Sequence, residues 1–195
     1  RRAVERDARS DDLRTGHDLA EPLARRLAQR AGHAFADTAA FESARRGARD
    51  SSGFLLLFAE VCRLFQRPED YVGAALSVAQ SLAEDGLRYA EVYVSPEISA
   101  RFGLDPAACL EAIDVGFREA LETHGILCRI LLDAVRHWGP ESADRVLDLY
   151  ERMPLPSIVG FGLGGDETSV PAAAFGGVYL RARALKLRTS VHAGE

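Results

Sequence analysis

Four short polar clusters along the 195-residue chain combine residue types that can move protons or hold a metal: Ser95-Pro96-Glu97, Asp133 with Arg136 and His137, Gly164-Gly165-Asp166-Glu167, and His192-Ala193-Gly194-Glu195. The last is the sharpest. An imidazole followed across a glycine turn by a carboxylate can set a metal ligand and a proton-transfer group around one water, whose pKa the metal lowers. The pattern alone fits a hydrogen-bonded rim histidine equally well, and one imidazole does not make a metal site. The run Gly160-Phe161-Gly162-Leu163-Gly164-Gly165-Asp166-Glu167 permits close backbone approach and positive φ, so its amides could bond a flat heterocycle; a flexible turn has the same composition. His17, His33, His124 and His137 show no ligand-like spacing, and His33 and His124 read as turn or cap residues.

Each cluster sits at the end of a short apolar run. Period-2 or β-branched and aromatic patterns predict strands over Tyr89–Ser95, Leu127–Asp133, Ser157–Phe161 and Arg188–His192. Apolar residues at helical spacing lie between and before them: Phe54 to Phe65, Val72 to Ala83, and a helix opened by Asp105-Pro106 and closed at His124-Gly125, with Leu110, Ile113, Phe117 and Leu121 as its stripe. Two more helices are predicted from Pro140 to about Tyr150 and from about Ala172 to Leu187. Strand starts at 89, 127, 157 and 188 are one βα unit apart. No GxxxxGKS phosphate loop is present, which weakens the case for a nucleotide-binding open sheet and favours a barrel.

The expected fold is therefore α/β, of the (β/α)8 TIM-barrel type. An eight-stranded barrel typically needs about 250 residues, so only about half to five-eighths of one is expected here. The chain reads as a single partial barrel domain, 1–195. Residues 1–50 form an N-terminal region with a helix carrying Leu19, Leu23 and Leu27 and a loose loop from Phe35 to Ser52; 51–195 hold the βα repeats. In such a barrel the chemistry lies at the carboxyl ends of the strands, where all four polar clusters fall.

A net charge of −5, from 24 basic and 29 acidic residues, gives no electrostatic footprint for nucleic acid. No apolar run approaches the roughly 18 residues of a membrane span. Cys62, Cys109 and Cys128 are scattered in apolar stretches without a CxxC, and predict buried thiols in a reducing, cytoplasmic setting. Arg1 to Asp12 is charged, lacks the apolar core of a signal peptide and has no initiator Met, and so reads as an internal start. A half-sheet with an unpaired strand at each edge predicts self-association, in the simplest case a homo-oligomer.

Two segments together, VGFGLGGDE at 159–167 and TSVHAGE at 189–195, resemble the adenosine deaminase family; YAEVYVSPE at 89–97 and FLLLFAEVCRLFQRPEDY at 54–71 resemble further family segments. The resemblance implies a zinc-dependent hydrolytic deaminase of an aminopurine. Hydroxide on the metal adds to C6 and ammonia leaves. It also implies that His192 is a zinc ligand, that Glu195 is the catalytic acid/base protonating ring N1, and that Gly165 contacts ring N3. The family's first strand carries an H-x-H pair of zinc ligands, whereas DDLRTGHDLAEP here has His17 alone, and the later ligand Asp and the hydroxide-orienting His lie in strands beyond Glu195. By that resemblance the 195 residues alone are expected to be inactive. Gly162 stands where adenosine deaminases proper have Asp, and Tyr93 where many have Arg, which leaves the aminopurine open. The alternatives are a catalytically inactive relative kept for binding or structure, and a zinc-free enzyme using Glu195 and Asp166.

Overall fold

The computed structural model describes residues 21–194. Helix α1, Glu21–Ala31, buries Leu23, Ala24, Leu27 and Ala28, the three- and four-residue spacing of one helical face. The stretch expected as a loose loop from Phe35 to Ser52 is instead folded. A 3₁₀ turn, Ala34–Ala36, leads into helix α2, Thr38–Gly47. Asp37 starts α2 by accepting from the amides of Ala39 and Ala40 at 2.7 and 3.1 Å, which satisfies two of the helix's free N–H groups. Phe35 and Phe41, 5.2 Å between ring centroids, bury against each other and hold the segment down. Asp50 caps α3, Ser51–Cys62, in the same way through Gly53.

Helix α4, Asp70–Glu84, precedes the first βα unit. Strand β1, Tyr89–Val94, is followed by the short helix α5, Pro96–Arg101, and by α6, Pro106–His124. Strand β2, Leu127–Val135, precedes α7, Gly139–Arg152; β3, Ile158–Gly164, precedes α8, Gly176–Ala184; β4 is Arg188–Thr189. The four strands form one parallel sheet in the order β1-β2-β3-β4, each beginning within one residue of where the sequence places it. Main-chain bonds from Ser190 to Phe161 and from His192 to Leu163, 3.0 and 2.9 Å, carry the β3–β4 pairing on past Thr189.

One face of the sheet is covered by helices. Cys128, Ile130, Leu132 and Ala134 of β2 and Ile158, Phe161 and Leu163 of β3 point into this core, with Ala90, Val92 and Val94 of β1 packed against it. Leu110, Ile113, Phe117 and Ala120 of α6 complete it, whereas Leu121, expected in that stripe, is 45% exposed. At 3.6 residues per turn the buried face passes from Phe117 to Ala120 and leaves Leu121 turned outward. His33 accepts from the Phe35 amide and His124 ends α6 before Gly125 at φ +66, as expected of turn and cap residues. Burial pushes the Cys128 thiol up to about 11.

Candidate active site

The other face of the sheet is lined by alternate residues: Tyr89, Glu91, Tyr93 and Ser95 from β1 and its end, Leu131 and Asp133 from β2, glycines from β3, and Arg188, Ser190 and His192 from β4 and its continuation. Contacts cross this face between strands that are not neighbours. The Tyr93 hydroxyl lies 2.6 Å from Ser190 Oγ, and Arg188 pairs with Glu91 at 2.7 Å. Three inter-strand steps would separate β1 from β4 by about 14 Å in a flat sheet, so the sheet is curled, as a barrel wall must be.

Gly160, Gly162 and Gly164 make the curl sterically feasible. A Cβ on Gly160 would stand 2.5 Å from Leu131, and one on Gly162 2.5 Å from the Tyr93 ring. One on Gly164 would stand 3.2 Å from both Asp133 oxygens and from His192 Cδ2, which puts the carboxylate and the imidazole on either side of that glycine. Asp133 is buried and accepts from Ser95 Oγ at 2.7 Å. The His192 ring is half-buried, 4.8 Å from the Tyr93 ring centroid.

The loop after β3 lies beside the loop after β2. Gly165 has φ +89, the left-handed conformation that glycine tolerates, and a side chain there would meet His137 Nδ1 at 3.1 Å. His137 Nδ1 accepts from the Asp166 amide at 3.4 Å. Burial holds the His137 pKa below its ordinary value, with Arg101 adding to that effect and Asp166 opposing it; the neutral ring is the form that can accept. Asp166 turns its carboxylate on its own loop, accepting from Thr168 N at 2.9 Å and Thr168 Oγ1 at 2.7 Å. Those two bonds hold its pKa down, which suits an anionic turn anchor and not a proton donor.

The buried Arg136 donates to the carbonyls of Glu167 and His192 at 3.2 and 3.3 Å, and Glu167 accepts from the Gly194 amide at 2.9 and 3.2 Å. Of the rim residues expected from the sequence, Asp133, Arg136, His137, Gly165, Glu167 and His192 come together at one end of the sheet. Glu97 does not. It pairs with Arg145 and Ser142 of α7, outside that face. Glu195 and His17 lie outside the described residues. Ser190 was missed by the sequence reading, although the alternation Arg188, Ser190, His192 on an inward face was its signal. Among the described residues no group of three His, Cys, Asp or Glu side chains could hold a metal ion. None of the described helices is long and apolar enough to cross a membrane.

A curled parallel βα sheet with its polar residues gathered at the carboxyl ends of the strands is the arrangement of a (β/α) barrel wall. The sequence profile of the family described as adenosine deaminase matches residues 18–195, and the chain belongs to that family. It is 34% identical over 147 residues to an adenine deaminase of Chelativorans sp. (strain BNC1), covering 75% of this chain and 45% of that protein. It is 35% identical over 148 residues to an aminodeoxyfutalosine deaminase of Streptomyces avermitilis, covering 75% and 41%. A crystal structure of an amidohydrolase from Burkholderia ambifaria with bound Zn superposes with a TM-score of 0.81 at 28% identity, over 91% of this chain and 49% of that one. The chain thus spans a little under half the length of these curated relatives, which agrees with a partial barrel.

Proposed function

We propose that this chain supplies the purine-binding half of a hydrolytic aminopurine deaminase. The observation that carries the proposal is the placing of Gly165 and His192 at the carboxyl ends of adjacent strands, with Arg136 between them bonded to both segments. In the reaction, water oxygen adds to the ring carbon bearing the amine, and that amine leaves as ammonia. Gly165 would offer its backbone to the ring, His192 would hold a metal, and Glu195 would pass a proton to a ring nitrogen as the water adds. The substrate is an adenine-containing nucleoside or a related aminopurine; the names of the two curated relatives differ on which.

Zinc belongs to this proposal because the Burkholderia amidohydrolase contains Zn. When bound, such a metal lowers the pKa of its water and polarises it toward the ring. A tetrahedral zinc needs three protein ligands beside that water, and the described residues offer no such group. They fit one ligand position, that of His192, and not a complete site, so no step is routed through the metal on these residues alone. A second reading, an inactive relative kept for binding or structure, is raised by the lone His17 where the family has an H-x-H pair.

Metal analysis of the full gene product, paired with ammonia release from adenine, adenosine and related aminopurines, separates the two. Close to one zinc per chain with ammonia release is expected, and both should be lost in His192→Ala. Absence of zinc after supplementation, with no ammonia from any aminopurine, would establish the binding or structural reading instead.

A further inference from the structure

We infer that Glu167 is a positioning residue, whose carboxylate, with the Arg136 guanidinium, sets the backbone of the turn from His192 to Gly194. The GGDE loop and the HAGE turn are then one hydrogen-bonded unit. The inference rests on the reading of His192 as a metal ligand and of Glu195, which follows Gly194 directly, as the proton-transfer group.

Successive main-chain groups of the turn are each tied to a different neighbour. The His192 amide donates to the Leu163 carbonyl at 2.9 Å, inside the β ladder. The His192 carbonyl accepts from Arg136 Nη2 at 3.3 Å. The Gly194 amide donates to both oxygens of Glu167, at 2.9 and 3.2 Å. Arg136 is 4% exposed and its other arm donates to the Glu167 carbonyl. A guanidinium is a rigid planar fork, so its two arms fix the loop after β3 against the end of β4.

Without an anchor this turn would be soft. Gly194 adopts φ +85, and glycine populates many other conformations equally readily. A carboxylate accepting an amide proton makes a charge-assisted bond, stronger than a neutral one. Glu167 therefore selects one conformation at the residue that decides how the chain leaves His192. Partners that orient a metal ligand typically change metal affinity by about 10–100-fold. The same geometry gives a physical reason for the two motifs to occur together: the acidic end of one holds the glycine of the other.

The test compares Glu167→Ala and Glu167→Gln in the full chain by amide hydrogen exchange, zinc titration and steady-state kinetics. In Glu167→Ala the exchange of the 190–194 segment should rise by about tenfold, zinc affinity should fall by about tenfold, and kcat should fall with KM little changed, while exchange in β1 and β2 stays as in the parent. Glu167→Gln keeps an amide oxygen that can accept from Gly194, and should recover most of each loss. Unchanged exchange at 190–194 in Glu167→Ala would overturn the inference, as would a Gln variant no better than Ala or loosening spread evenly through β2 and β3. A parent protein that takes up no zinc and releases no ammonia would sink the deaminase reading, while the exchange comparison would still decide the clamp.

Discussion

Tyr93 and Gly162 are the pair of residues on which the inner face turns. The ring of Tyr93 covers Gly162, its hydroxyl is fixed on Ser190, and its flank lies against His192. In Gly162→Ala the new methyl would sit 2.5 and 3.1 Å from two ring carbons, and a ring held on two sides has no free rotation with which to yield. The expected cost is about 1–3 kcal/mol, the range for an overpacked core. Removing the ring as well, in Tyr93→Ala, should recover much of it, with a coupling of about 1 kcal/mol in a double-mutant cycle read by urea unfolding. The sequence shows both positions as separate departures from the family pattern. That they are one contact was not legible, because a glycine has no side chain to announce what lies over it. His192, Gly165 and Asp133 were legible as rim residues from the strand pattern. Glu97 was misplaced there because a helix, α5, begins at Pro96 and carries its side chain toward α7.

Between elements, α4 and α6 approach each other closely at Gly116. A Cβ on Gly116 would lie 2.5 Å from the Val72 carbonyl oxygen and 2.8 Å from Ala75 Cβ. Two effects oppose each other in Gly116→Ala. Alanine is the better helix former by about 1 kcal/mol, but the obstacle is backbone, so the helices must separate along their length. The packing loss should win, with a net destabilisation of about 2 kcal/mol and an unchanged far-ultraviolet spectrum; a stabilised variant would show that α4 and α6 shift freely. The four strands were legible because short β-branched runs alternate with helical periods. The predicted end of β3 at Phe161 was too early: it runs to Gly164, since glycines that count against a strand in isolation are the residues this curled sheet requires. Helix α2 was hidden because its Ala- and Arg-rich sequence buries only Phe41, too little for a visible apolar stripe.

At the scale of the whole molecule, an N-terminal helical cluster around Leu27, Phe41 and Leu64 and the cluster beneath the sheet meet at Tyr71. Beside it Asp70, 5% exposed, accepts from the Arg30 guanidinium and from the amides of Gln66 and Arg67, tying α1 to the start of α4. Burial alone would raise its pKa, but the bonds from Arg30 and Gln66 outweigh that and leave it below its ordinary 3.8. A carboxylate whose folded pKa is depressed contributes stability that is present above 3.8 and is lost as pH falls through the folded value. Melting temperature should therefore drop on acidification below about pH 4, and Asp70→Asn should be less stable by about 2 kcal/mol at pH 7 with a flatter acid limb. An acid limb identical in both proteins would rule the tie out. The glycine ladder of β3 has a further consequence for engineering and for evolutionary drift. Since Gly160, Gly162 and Gly164 surrender their space to Leu131, Tyr93 and the Asp133–His192 pair, the relief of the inner wall over β3 is carved by its neighbours. A library meant to reshape what this wall accepts should vary positions 93, 131 and 190 and keep the three glycines fixed, because each inherited change of shape has to arrive from the flanking strands.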